Sequence, residues 1–163
     1  MRDAWQKDRP QNKHKSDNIF SHIGIIMNSP FIKGGVFMKF YVCDVCGNFV
    51  GMVKESGVSM MCCGTEMTEV IPVTSDVAKE KHVPVITVKG NKVVVKVGSE
   101  EHPMLDNHFI EWIALETVKG SQRKELKPGE KPCAEFALTD DDSVVCAYAY
   151  CNLHKLWKSA KIC

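Results

Sequence analysis

The hydrophobic positions in the second half of the chain occur in short runs separated by turn residues, a pattern typical of β-strands. Val85–Lys89 and Lys92–Val97 are rich in β-branched residues and flank Gly90-Asn91, a strong signal for a two-residue turn. Pro84 fixes an extended backbone immediately before the first run. These residues are predicted to form a β-hairpin, preceded by a linker at residues 73–77.

Later runs extend the strand pattern: Phe109–Thr117, Ala134–Leu138 and Val144–Tyr150. In the first of these, alternation predicts that Ile110 shares a face with Trp112, opposite Glu111. Residues 120–131 are predicted to be a charged connection between strands. No stretch of this half has a long helical period. The pattern therefore predicts an all-β fold over residues 78–163, an antiparallel β-sandwich of six or seven strands with an immunoglobulin-like plan.

A smaller module is predicted over residues 38–73, with strands at residues 49–54 and 58–61. It carries two cysteine pairs, each followed by a glycine that permits a left-handed turn: Cys43, Cys46, Cys62 and Cys63. Two thiolates from each half can bind one metal ion tetrahedrally, and a module this small needs such an ion to fold. The spacing alone favours zinc, whereas the adjacency of the second pair favours iron.

The second half contains five further candidate metal ligands, which lie at strand ends and in loops: His82, His102, His108, Cys151 and His154. The run before Cys151 is predicted to be a strand that ends at this residue, and the spacing to His154 allows both to reach one ion across a tight turn. Any one of these histidines alone could be a surface residue, and the cysteine alone could be a buried apolar side chain. As a set, five ligands leave one coordination position free, which favours a redox metal such as iron.

Composition argues against nucleic-acid binding and membrane association, and it favours metal binding. The 163 residues carry a net charge of +1, which argues against a general nucleic-acid binder. No apolar run approaches the length of a membrane span, and no secretory signal peptide is evident, so we expect no membrane association. Eight cysteines in a chain without such a signal indicate metal binding before disulfides.

Residues 1–37 differ from the rest of the chain. They carry six basic and three acidic side chains, net +3, and show no sustained strand or helix period. We expect this extension to be disordered. An alternative is that it is not translated in the cell, because Gly34-Gly35-Val36 can be encoded by a purine-rich run resembling a bacterial ribosome-binding site just before Met38.

Six segments in order resemble the desulfoferrodoxin family, the two-iron superoxide reductases, over Met38 to about Lys158. They are Cys43-Asp44-Val45-Cys46-Gly47, Cys62-Cys63-Gly64, Glu80-Lys81-His82-Val83-Pro84, Glu101-His102-Pro103-Met104, His108-Phe109-Ile110 and Cys151-Asn152-Leu153-His154. Two features depart from the family pattern. Residues 1–37 have no counterpart in it, and Lys155 stands where the family more often has glycine.

The resemblance implies a desulforedoxin-like domain at residues 38–73 and a catalytic sandwich domain at residues 78–163. It implies two irons per chain, center I bound by the four cysteines and center II bound by the four histidines in a plane with Cys151 axial. It also implies a cytoplasmic homodimer that reduces superoxide to hydrogen peroxide and receives electrons from a rubredoxin.

Two charged residues beside His82 are candidates for catalytic roles under this resemblance. Superoxide is an anion, so Lys81 is expected to steer it to the metal and to help place a proton-donating water. Glu80 is expected to be the sixth ligand of the ferric state. Without the resemblance, both residues would be assigned to a solvated charged loop.

Two other functions remain open on the sequence. The chain could be a rubredoxin-like electron carrier with an inactive center II. It could also be a zinc-stabilised binding module in which the sandwich serves for interaction. The zinc hypothesis accounts for the four cysteines of residues 43–63 but not for the histidines and Cys151.

Overall fold

The computed structural model describes residues 38–73 and 79–159, all of which belong to one compact unit. The expectations for residues 1–37 and for most of the linker at residues 73–77 lie outside the described residues. Within them the chain forms twelve strands and one helix, α1, at Lys79–His82. With four residues, α1 is far too short to cross a bilayer.

The four-cysteine module consists of two small antiparallel sheets. The first joins β1 (Lys39–Val42), β2 (Phe49–Met52) and β5 (Thr68–Glu69) in the order β2-β1-β5. The second pairs β3 (Met61–Cys62) with β4 (Thr65–Glu66). The strands predicted at residues 49–54 and 58–61 are therefore shorter than expected, and the second is displaced toward the cysteine pair.

The remaining seven strands form two sheets, as the pattern predicts for a sandwich. One sheet has the order β10-β7-β6, from Cys133–Ala137, Lys92–Val97 and Pro84–Lys89. The other has the order β12-β11-β8-β9, from Lys155–Lys158, Val144–Cys151, Ile110–Thr117 and Ser121–Glu125. Fully buried side chains of both sheets form one cluster, among them Val93, Val95, Ile113, Leu115 and Ala149. The all-β fold class is confirmed, and the predicted hairpin forms with Gly90 at φ +56°.

A bulge in β8 places Ile110 and Trp112 on opposite faces of the sheet, contrary to the prediction. Trp112 pairs with Tyr150 and Ile110 with Cys151, so Glu111 has no partner opposite it on β11. Ile110 consequently packs in the same cluster as Ile113, while Trp112 faces the opposite side of the sheet. The prediction that Ile110 and Trp112 share a face was wrong, because strict alternation does not continue across a bulge.

The predicted connection at residues 120–131 contains a strand. Ser121–Glu125 forms β9 and pairs with β8 along its length. Four of its five residues are exposed, and it lies at the edge of its sheet. Charged edge strands are common because they discourage further pairing. The hydrophobic pattern cannot reveal such a strand, since almost none of it is buried.

The four-cysteine module packs on the outer face of the four-stranded sheet. The ring of Phe40 lies 5.2 Å from that of Trp112 and 5.3 Å from that of Tyr148, measured between centroids. Beneath them, the buried Glu116 carboxylate accepts a hydrogen bond of 2.9 Å from the Tyr148 hydroxyl. An aromatic cluster therefore joins β1 and β2 to the sandwich, while the other face of the same sheet carries the core between the two sheets.

Candidate metal centres

The loops at one end of the sandwich bring five donor residues together. His82 ends α1, Cys151 ends β11, and His154 lies in the turn between β11 and β12. His102 and His108 come from the loop that joins β7 to β8. The donor atoms all lie within 4.8 Å of one another, so the five residues predicted as one ligand set do form one group.

The four imidazoles stand at the corners of a square. Neighbouring ring centroids are 4.6–4.9 Å apart in the order His82, His102, His108, His154, and neighbouring rings are inclined by 70–77°. The diagonal from His82 to His108 is 6.4 Å. Such a ring of imidazoles leaves the two directions perpendicular to its plane for other ligands.

The nitrogen spacing suits a single metal ion. Nδ1 of His154 lies 2.9 Å from Nε2 of His82 and 3.2 Å from Nε2 of His108. Two nitrogens bound at right angles to an ion about 2.1 Å away would be about 3.0 Å apart. The Cys151 sulfur lies 3.6 Å from the same His154 nitrogen, which adds a thiolate to the set.

His102 provides the clearest sign of a missing partner. Its Nδ1 lies 2.6 Å from the Pro103 carbonyl oxygen, to which it can only donate, so Nε2 carries the lone pair. This Nε2 is buried and is the one such side-chain atom among the described residues without a hydrogen-bond partner. Burial lowers the pKa of His102 to about 4, which keeps the ring neutral near neutral pH. An orphaned, neutral imidazole nitrogen fits a metal ligand.

Cys151 also requires a cation to act as a thiolate. It is fully buried, and burial raises the pKa of its thiol. The backbone amides of His154 and Leu153 oppose this shift but do not cancel it. A bound metal ion would displace the proton.

Two residues that sequence reasoning did not assign to the site support it. The Asn152 side chain accepts a hydrogen bond from the Phe109 amide at 2.9 Å and donates to the Asn107 carbonyl at 3.1 Å, which joins the two ligand loops. The Trp157 indole stacks on His82 at 4.7 Å and donates to the His154 carbonyl at 2.9 Å. Trp157 is buried, and the pairing of β11 with β12 places it against these two ligands.

The candidate catalytic residues Glu80 and Lys81 lie in α1 directly before His82, and both are exposed. The Glu80 carboxylate is not part of the five-residue group. Exposure within the group increases from the buried His82, His102 and Cys151 through His108 to the exposed His154. Solvent therefore reaches the site from the side of His108 and His154.

The four cysteines form the second group, again with all donor atoms within 4.8 Å. The sulfur of Cys62 lies 3.6 Å from that of Cys46 and 3.9 Å from that of Cys63. Sulfurs bound tetrahedrally at about 2.3 Å from an ion would be roughly 3.8 Å apart. The Asn48 side-chain amide lies 3.6 Å from the Cys62 sulfur and supports it from outside the group.

The backbone of this group explains the glycines noted in the sequence. Gly47 and Gly64 have φ of +74° and +79°, as the left-handed turns require, and Cys63 itself has φ of +50°. The amides of Cys46 and Val45 lower the pKa of Cys43 to about 7. The neighbouring sulfurs, Cys46 first, raise the pKa of Cys63 to about 12. Four crowded thiols of which one is acidic fit a cation that would stabilise all four thiolates.

Comparison with known proteins agrees with this geometry. The desulfoferrodoxin family model matches residues 74–160. A desulfoferrodoxin homolog of Archaeoglobus fulgidus is 50% identical over 122 residues, which cover 75% of this chain and 96% of that protein. The desulfoferrodoxin of Nitratidesulfovibrio vulgaris is 47% identical over 121 residues, covering 74% and 94%. The crystal structure of the superoxide reductase from Treponema pallidum superimposes with a TM-score of 0.66 at 41% identity, covering 78% of this chain and all of that one.

The two donor groups complete the comparison. The four-cysteine group and the group of four histidines and one cysteine match the two iron sites of this family, center I and center II. Sequence identity, fold and both ligand sets thus agree. The chain belongs to the desulfoferrodoxin family.

Proposed function

We propose that this protein is a superoxide reductase, which catalyses O2•− + e− + 2H+ → H2O2. The observation that carries the proposal is the square of four imidazoles with the buried Cys151 thiol beside it, open to solvent along His108 and His154. A ferrous ion held there would supply the electron, and the Cys151 thiolate would increase its electron-donating power. The family and the similarity to the Treponema pallidum superoxide reductase support the same activity.

Lys81 is proposed to guide superoxide to the site. It is exposed, and its backbone directly precedes that of the ligand His82. A cation beside a site for an anionic substrate increases the encounter rate, and the increase falls with ionic strength. The same ammonium group can hold a water molecule that donates a proton to the product.

Glu80 is proposed to be the sixth ligand of the ferric site after the product has left. Its backbone lies two residues before His82, and its exposed side chain is outside the five-residue group. This role therefore requires the carboxylate to move toward the site. Glu80 is assigned to the resting ferric state and Lys81 to substrate encounter, so the two substitutions have separable effects.

The division into two domains, at residues 38–73 and 78–163, is also a proposal, as is the status of residues 1–37 as an extension. All ligands of center I lie between Cys43 and Cys63, whereas center II takes its ligands from His82 to His154. The aromatic contacts of Phe40 nevertheless join the two parts. We assign catalysis to center II and electron relay or structural support to center I.

We further propose that the protein acts in the cytoplasm as a homodimer and receives electrons from a rubredoxin. The family resemblance supports these assignments, and the exposed edge of His154 offers a donor protein a short approach to center II. A functional alternative is a rubredoxin-like carrier that only transfers electrons. In that case center II would bind iron without consuming superoxide.

A single experiment separates these functions. The chain is loaded with iron, supplied with an excess of reductant, and exposed to superoxide while peroxide and dioxygen are measured. A reductase gives one peroxide per superoxide and no dioxygen, whereas dismutation gives half as much peroxide and releases dioxygen. Metal analysis should find two irons per chain. A colourless zinc protein, or an iron protein that leaves superoxide untouched, would contradict the proposal.

A further inference from the structure

The turn that follows β7 forms hydrogen bonds to the backbone of the segment that carries Glu80. Directly after β7, the Glu100 amide donates to the Glu80 carbonyl at 3.0 Å, and the Ser99 hydroxyl donates to the same oxygen at 3.2 Å. The Gly98 amide donates to the Val83 carbonyl at 3.1 Å. Three hydrogen bonds from three consecutive residues therefore connect this turn, residues 98–100, to the backbone on both sides of Lys81 and His82.

The two backbones approach so closely that only glycine fits between them. Gly98 has φ of +81°, a conformation that other residues rarely adopt. A β-carbon placed on it would lie 2.7 Å from the carbonyl oxygens of both Glu80 and Lys81, and 2.2 Å from that of Glu100. All three obstacles are backbone atoms, which cannot swing aside as a side chain would. The contact between the two segments is thus close over two successive peptide groups.

The segment around Lys81 depends on such external support. An α-helix of four residues, such as α1, has too few internal hydrogen bonds to be stable alone. The side chains of Glu80 and Lys81 are exposed and do not anchor it in the core. Among the three residues at positions 80–82, whose burial the structure describes, His82 alone is buried. The three hydrogen bonds from residues 98–100 therefore help to fix where Glu80 and Lys81 stand relative to the histidines.

We infer that Ser99, together with Gly98, is a positioning residue for Glu80 and Lys81. This inference rests on the proposed function. Of the three hydrogen bonds, only that of Ser99 comes from a side chain, so it alone can be removed without altering the backbone. Ser99 belongs to neither donor group, so its substitution leaves both ligand sets complete.

The test compares Ser99→Ala with Ser99→Thr, which keeps the hydroxyl, in the full iron-loaded chain. Ser121→Ala, at an exposed serine of β9 in the other sheet, is the matched control. Amide hydrogen exchange over residues 79–83 should accelerate about fivefold in Ser99→Ala, the factor for a hydrogen bond of about 1 kcal/mol. Ser99→Thr should restore the parent's exchange, and Ser121→Ala should match the parent.

The second readout is the rate of superoxide reduction at low and high ionic strength. In Ser99→Ala the rate at low salt should fall by a factor of roughly two to five, and the rate should depend less on ionic strength than in the parent. Both changes should resemble, in weaker form, those expected for Lys81→Ala. Ser99→Thr should recover both. Gly98→Ala should produce a larger effect of the same kind if it folds. A merely structural role for Ser99 would alter stability but not the salt dependence.

Each outcome decides the inference. Unchanged exchange over residues 79–83 in Ser99→Ala would show that the hydroxyl does not hold the segment. Faster exchange with an unchanged salt dependence would show that holding the segment in place does not affect how Lys81 attracts superoxide. A parent chain that consumes no superoxide would overturn the proposed function instead, and the exchange measurement would still decide whether Ser99 holds the segment.

Discussion

Each histidine of center II presents the nitrogen that its surroundings leave available. His102 uses Nε2 because Nδ1 is bound to the Pro103 carbonyl, whereas His154 turns Nδ1 toward His82 and His108. Cys151 is buried and needs a cation to ionise. At the residue scale, the neutral His102 ring already presents its lone pair to a metal ion, whereas the Cys151 thiol must lose its proton when the ion binds.

Cys151→Ser is expected to retain the fold and to lose superoxide reduction. A serine oxygen fits the space of the thiol, but a hydroxyl donates far less electron density to iron than a thiolate does. Stopped-flow measurement of superoxide consumption tests this expectation. Cys133→Ser is the matched control, because Cys133 is a partly buried thiol outside both donor groups. A Cys151→Ser protein as fast as the parent would rule out the thiolate's role.

Lys81→Ala is expected to slow the second-order reaction with superoxide and to reduce its dependence on ionic strength. Lys89→Ala removes the same charge at the far end of β6 and should change neither quantity. Glu80→Ala should leave the rate nearly unchanged and alter the absorption spectrum of the ferric protein. If parent and Lys81→Ala respond identically to salt, Lys81 does not steer the substrate.

At the scale of elements, center II depends on contacts between loops rather than on any one strand. Cys151 ends β11 and His154 lies in the turn that follows, and Asn152 in the same turn binds the loop that carries His108. The turn after β7 similarly holds the segment before His82. The strands provide a rigid base, and side-chain hydrogen bonds set the distances between ligand loops.

Asn152 offers a prediction at this scale. Asn152→Asp keeps an acceptor for the Phe109 amide but places a carboxylate oxygen against the Asn107 carbonyl. We expect Asn152→Asp and Asn152→Ala each to weaken iron binding at center II by about 10- to 100-fold, as loss of a supporting contact does. Competition with a chelator measures the iron affinity of center II in each variant. Asn91→Ala, which removes a hydrogen bond to Asp140 in a distant hairpin, should bind iron as the parent does.

The ligands could be predicted from the sequence because metal chemistry restricts them to a few residue types at suggestive spacings. The hairpin of β6 and β7 was predictable from Gly90-Asn91 and its flanking runs. The strand β12 was not, because its four residues show no alternation of polar and apolar side chains and the turn before it contains no glycine. The order of imidazoles around the square also could not be predicted, since it depends on how three separate loops meet.

On the scale of the whole molecule, one aromatic cluster joins the two parts of the chain that carry the metal groups, and these groups share no residue. Phe40 and Phe49 come from the center I module, and Trp112, Tyr148 and Tyr150 from the four-stranded sheet. The ligand sets are separable, but the hydrophobic packing is continuous. Metal loading and folding stability should therefore respond to different substitutions.

A pair of variants tests this separation. Cys46→Ser changes an exposed ligand of center I and should release or loosen that iron while center II stays loaded and active with an artificial donor. Phe40→Ala should keep all nine ligands but lower the free energy of unfolding by about 3–5 kcal/mol. Metal analysis, peroxide yield and denaturant unfolding distinguish the two. Loss of both irons in Cys46→Ser would show that the module is an integral part of the catalytic fold.

The indole of Trp157 gives the site an optical property of its own. It is almost fully buried, stacks on His82 and is bonded to the His154 backbone, so its emission arises within contact distance of two ligands. A coloured ion bound there would quench that emission by energy transfer, and a colourless ion such as zinc would not. Trp112→Phe would reduce the background from the aromatic cluster. Binding and release of iron at center II can then be followed by fluorescence in a protein that carries no added label.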